Sequence, residues 1–237
     1  MIFFQIGPSV RELRSFKGIH FLYVKKLLSQ RVCYTPFDRK CQVEKAGGNI
    51  SGDSGKDRAG GIGMTEWLAT AKQMGFDAAA PLDPKTLIAR EDVRAMCAAD
   101  KCGAYNKNWT CPPAIGTIES CQQKMRQYKR GILLQSIGHM RKSIDSKCYQ
   151  ETERLHIKNF DAFAMELRKE YPNALCLGTG GCRVCGQCAY PAPCRFPEKA
   201  MSSMEGYGLF VTQVCRDAGI PYHHGAKTIT YTACILI

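Results

Sequence analysis

Apolar side chains recur at three- and four-residue steps through Leu155, Phe160, Phe163, Ala164, Leu167 and Tyr171, which predicts a helix over 150–171 with one face against a core. The same period predicts helices over 64–75 (Trp67, Leu68, Ala71, Met74), 89–96 and 117–129 (Ile118, Cys121, Met125, Tyr128). Short apolar runs predict strands at 131–137 and 174–177, and the β-branched residues of 228–237 predict another. Asp83-Pro84 begins a turn, and two further helices are expected at about 198–207 and 210–218, each closed by a glycine, Gly208 and Gly219. Two stretches lack any period: 97–113, with Gly103 and Pro112-Pro113, and 178–197. Strands alternating with helices predict an α/β fold, a small mixed sheet with flanking helices, its two aperiodic loops meeting at one end of the sheet.

Residues 1–63 depart from this pattern. Their apolar stretches, 2–6 and 19–28, are short and broken by Lys25 and Lys26, and 45–63 is Gly, Ser, Lys and Asp without a period. The expectation is a disordered or spurious leader over 1–63 and one working domain over 64–237, where Met64-Thr65-Glu66-Trp67 reads like a native start. No secretory signal is visible, because the basic residues follow the first apolar patch and no small-residue cleavage site closes it. Scarce serine and the acidic Glu12 argue against a transit peptide. No apolar run approaches the length of a membrane span, so a cytoplasmic protein without a membrane partner is expected.

Charge changes this picture little. The net charge of +12 would suggest nucleic acid. However, residues 1–63 hold eleven basic residues against five acidic, so half of the excess lies in the leader and a nucleic-acid partner is disfavoured. Cysteine changes it more. The 237-residue chain carries 14, although a chain of this length does not need disulfides to be stable, and nothing marks it as secreted.

Four of the cysteines form Cys182-x2-Cys185-x2-Cys188-x5-Cys194. Two-residue gaps let a loop wrap a compact centre with backbone N–H groups turned toward the sulfurs, close to the ferredoxin spacing for a [4Fe-4S] cluster. The last gap is five rather than three, and Pro197 follows Cys194 by three residues. Zinc is the alternative, although zinc sites more often pair two C-x2-C knuckles across a longer gap. Cys97, Cys102 and Cys111 form a weaker second group around Cys102-Gly-Ala-Tyr105 and Trp109-Thr-Cys111-Pro112-Pro113; Cys121 follows but falls on a helix face. The spacing of this group is balanced between metal ligation and incidental buried thiols. Cys148, Cys176, Cys215 and Cys234 share no spacing and read as core thiols, as His223-His224 after Pro221 reads as a solvated turn. Arg195, next to Cys194, is a candidate for tuning the charge of a bound cluster.

The string from Met96 to Cys102, the Trp109-Thr-Cys111-Pro-Pro signature, and Gly180-Gly-Cys182-Arg-Val-Cys185-Gly-Gln-Cys188 running on to Cys194-Arg195-Phe-Pro197 resemble domain-of-unknown-function family 2284 (DUF2284), cysteine-rich predicted metal-binding proteins of prokaryotes. The resemblance extends over 64–237, including Ser203-Met204-Glu205. It implies metal binding of iron–sulfur type in mostly anaerobic organisms and supplies no reaction. Where similar sequences carry an acidic residue to cap the helix from 211, this chain has Phe210. The expected protein is an iron–sulfur carrier or redox accessory to a partner enzyme, with one or two [4Fe-4S] clusters. The alternative is a zinc-stabilised interaction or nucleic-acid-binding module.

Overall fold

The unbroken apolar stretches near 131–134 and 233–236 belong to two strands that are covered on both faces. The computed structural model describes residues 63–237. In chain order they form α1 (Met64–Gln73), β1 (Ala78–Leu82), a 3-10 turn (Pro84–Thr86), α2 (Glu91–Ala98), α3 (Ile118–Met125), β2 (Gly131–His139), α4 (Ser146–Glu170), β3 (Leu175–Gly178), β4 (Ser202–Ser203), α5 (Val211–Asp217) and β5 (Thr228–Leu236). The sheet order is β1-β2-β5-β3-β4. β1/β2, β2/β5 and β5/β3 are antiparallel, and β3/β4 is parallel, so the sheet is mixed as expected.

Register explains which residues face which layer. Leu133 pairs with Cys234, which pairs with Leu177, and this row points to one face. Ile132, Ile235 and Cys176 form the next row and point to the other. The first face is covered by Cys121 and Met125 of α3, Val214 and Cys215 of α5, and by Leu87, Met204, Tyr207 and Leu209 from the connections. The second is covered by Trp67 and Ala71 of α1 and by Phe160, Phe163, Ala164 and Leu167 of α4, with Trp67 edge-on to Phe163 at 5.6 Å. Each fully buried large side chain in these layers contributes about 1.5–3 kcal/mol.

Helix α4 carries the periodic face read from the sequence. It starts four residues earlier than expected because the Asp145 carboxylate caps it, accepting from the Cys148 N–H at 3.1 Å. It lies close against β2 at Gly138, where a Cβ would collide with the Thr152 hydroxyl. Helix α5 begins at Phe210 without a side-chain cap, as the missing acidic residue implies, and Phe210 instead lies beneath the Arg90 guanidinium, 5.0 Å from its ring centroid.

One expected element is absent. Residues 198–207 form no helix, but a series of tight turns around the two-residue strand β4, which pairs with β3 through Leu177 and Ser202. Met204 and Tyr207 are nevertheless buried, and the Ser203 hydroxyl accepts from the Gly206 N–H at 2.9 Å to hold the turn. Pairing with the sheet edge outweighs the helical spacing. The leader expected over 1–63, with Cys33 and Cys41, lies outside the described residues except for Gly63, whose N–H donates to the Glu66 carboxylate at 3.0 Å and caps α1. No helix among the described residues is long and apolar enough to cross a membrane.

Candidate metal centre

The loop that follows β3 leaves the sheet through Gly178, Thr179, Gly180 and Gly181. Gly180 has φ +69°, a left-handed turn that aims the chain toward Cys182. Cys182, Cys185, Cys188 and Cys194 then line a single pocket open to solvent, together with Asn108, Trp109 and Thr110 from the loop after α2. All four thiols are partly exposed and none is in a disulfide.

The two loops are tied by few but specific contacts. The Thr110 hydroxyl accepts from the Cys182 N–H at 3.1 Å and donates to the Asn108 side-chain oxygen at 2.9 Å. The Trp109 indole N–H donates to the Ala192 carbonyl at 2.7 Å, and the ring meets Tyr190 edge-on at 5.0 Å. Tyr190 in turn donates to the Asn106 side chain at 2.8 Å. Trp109 therefore forms one wall of the cysteine pocket, shielding its side from water.

Cys188 is the cysteine of this loop whose thiolate is favoured. Partial burial raises its pKa, but the backbone N–H groups of Trp109, Tyr190 and Ala189, with the Arg195 charge, outweigh this and hold it below the ordinary thiol value. Arg195 does not simply extend into water. Its guanidinium donates to the Gln187 carbonyl, closing the loop on itself beside Cys188, and the side chain lines the pocket.

The second group adjoins the first. Cys97 lies on the last turn of α2 rather than in the loop, and its sulfur faces the Glu205 carbonyl at 4.0 Å. Cys111 is half-buried, and a Cβ at Gly181 would lie 3.3 Å from its sulfur. Burial, with the nearby Cys102, Cys97 and Cys182, pushes the Cys111 thiol up to about 11, and burial followed by Glu205 and Cys102 raises Cys97. Cys111 is thus within electrostatic reach of Cys97, Cys102 and Cys182, and Cys97 of Cys102. Among the described residues, no three His, Cys, Asp or Glu side chains converge as on a single ion.

Cys121 stands apart. It is buried in the core beneath α3, where Arg94 donates to its sulfur at 3.1 Å and to the Gly116 carbonyl at 2.8 Å. Of the two adjacent histidines, His223 is exposed, whereas His224 contacts the side-chain oxygen of buried Gln135 at 3.2 Å, so only the first fits a solvated turn. Glu205 is the group beside the cysteines that residue spacing did not single out, although it belongs to the Ser203-Met204-Glu205 string.

A donor set made only of thiols is soft and suits iron–sulfur clusters and zinc rather than magnesium or calcium. The open pocket, its indole wall and the N–H groups directed at Cys188 fit such a group. No curated protein and no solved structure matches the chain significantly. A family model described as predicted metal-binding protein (DUF2284) matches residues 80–237, and the chain belongs to that family.

Proposed function

We propose that Cys182, Cys185, Cys188 and Cys194 hold a [4Fe-4S] cluster, that Cys97, Cys102 and Cys111 contribute to a second centre, and that the protein is an electron carrier or redox accessory to a partner enzyme. The observation that carries this reading is the gathering of all four cysteines of the C-x2-C-x2-C-x5-C loop around one pocket. When bound, such a cluster supplies one-electron chemistry. The chain's own residues do the rest. Thiolates fix the group, the amides of Trp109, Ala189 and Tyr190 offset negative charge at Cys188, Trp109 limits water on one side, and Arg195 places a cation at the loop.

A carrier is favoured over a catalyst because, among the described residues, no nucleophile and base are paired at the pocket. The open side of the pocket leaves room for a partner to approach the cluster, which favours transfer between proteins. Iron and acid-labile sulfide analysis of anaerobically purified protein tests the reading. Brown protein with iron and sulfide in equal amounts supports it. Colourless protein with stoichiometric zinc and no sulfide replaces it with the zinc-stabilised interaction module.

A further inference from the structure

Behind the cysteine loop, on the side facing α4, lies a second cavity with about 170 Å³ of free space. We propose that this cleft binds a small organic acid, a carboxylate carrying a short apolar body. The site goes beyond the metal reading, because most of its walls come from α4, the turn after β3 and the segment leading to β4, with Cys182, Arg183 and Val184 of the cysteine loop completing them.

The floor is apolar, formed by Ile157, Phe160, Ala164 and Met201. The rim holds three cations, Arg168, Arg183 and Lys199, against one carboxylate, Asp161. None of the three cations is in a salt bridge among the described residues. Arg183 donates to the Thr179 carbonyl at 2.7 Å, which uses one nitrogen of its fork and leaves the others for a ligand. Arg168 approaches the Ala200 carbonyl at 3.5 Å and the sulfur of Cys176. Lys199 rests 5.5 Å over the Phe196 ring.

Thr179 closes the cleft where the chain leaves β3. The cleft lies between α4 and the sheet edge, bounded by residues that leave β3, Gly178 to Gly181, and by Lys199 and Met201, which lead into β4.

The walls define the ligand. An apolar floor beneath a rim richer in cations than in carboxylates favours an anion with a hydrocarbon end. Cys182 lines both this cleft and the cysteine pocket, so the occupant would rest beside a proposed metal ligand.

The test is calorimetric titration of the full chain, purified with its metal, using acetate, butanoate and hexanoate. 1-Butanol serves as the uncharged match and inorganic phosphate as the charge without a tail. Saturable binding that tightens from acetate to butanoate and is absent for butanol is expected. Arg168→Gln with Lys199→Gln should weaken butanoate by about tenfold or more at unchanged metal content. Lys199 is exposed, so Lys199→Gln alone, which does not threaten folding, should still weaken it by about threefold. No saturable binding of any carboxylate, phosphate binding as tight as butanoate, or unchanged affinity in the cation variants would overturn the proposal. Because the variants leave every cysteine in place, these results are separate from the iron and sulfide assay.

Discussion

The core of the sheet and the loops at its end use the same residue in opposite ways. Cys176, Cys215 and Cys234 are at most 1% exposed, lying in rows between aliphatic side chains. Burial pushes the first two thiols up to about 11 and raises the third further still. Cys182, Cys185, Cys188 and Cys194 are partly exposed, and backbone amides favour the thiolate of Cys188. A thiol among hydrocarbon is a small apolar group, whereas a thiol among N–H donors at a surface is a ligand. The comparison teaches that cysteine count alone overstates chemistry here and that location decides it.

The largest effect should come from exchanging sulfur for oxygen in the loop. Cys185→Ser is expected to remove the metal of the four-cysteine pocket while leaving the sheet intact, read as metal per chain beside far-ultraviolet circular dichroism. The same exchange at Cys111 should lower metal content only in part, and unchanged content would assign that loop to structure alone.

The core offers its own ionisable test. His156 is fully buried, its Nδ1 3.0 Å from the Ser136 hydroxyl and its ring stacked near Phe160. Burial first, and the Arg183 charge second, push its pKa down to about 3. The folded state therefore keeps it neutral while the unfolded chain takes up a proton below about pH 6.5. Stability should thus be full above that value and fall by about 1.4 kcal/mol per pH unit as pH drops toward 3, roughly 3 kcal/mol by pH 4. Urea titrations across this window should show the slope for the native chain and its loss in His156→Gln, beyond the carboxylate effects common to both.

Cys234→Ser reverses the outcome expected at Cys185. A hydroxyl without a partner in this fully buried site should cost about 1–3 kcal/mol of stability and leave metal per chain unchanged, checked by urea unfolding and metal analysis. Loss of metal in this variant would break the division between core and loop. The smallest effect is electrostatic. Arg195→Leu should leave the proposed cluster assembled and lower its reduction potential by a few tens of millivolts, where about 59 mV is tenfold for one electron. Arg195→Lys should fall between, and coincident potentials in voltammetry would show that the guanidinium serves only to hold the Gln187 carbonyl.

The covered strands and the long helix were legible because burial writes a period into the chain. Phe160, Phe163, Ala164 and Leu167 report a face whatever lies opposite. Residues 198–207, expected to be a helix closed by Gly208, misled because tight turns over a sheet edge can bury Met204 and Tyr207 as well as a helix does. The loop cysteines could be grouped by spacing, yet nothing local told that Thr110 would bridge to Cys182, 72 residues on, or that Cys121 would be held by Arg94. His224 was read as solvated because its partner, Gln135, comes from a distant strand. Local pattern reports burial, whereas pairing between distant segments depends on the topology.

That topology also bears on synthesis. β5 is the last strand in chain order, yet it lies between β2 and β3, and it is the strand that joins β3 to the rest of the sheet. The loop after β3 emerges from the ribosome with its thiols before the strand that anchors it has been made. Until β5 inserts, the Thr110 and Cys182 loops have no common frame, so a metal centre needing that frame would be completed after translation. A nascent chain stalled before 228 would present its cysteines unpaired and its central sheet edge open.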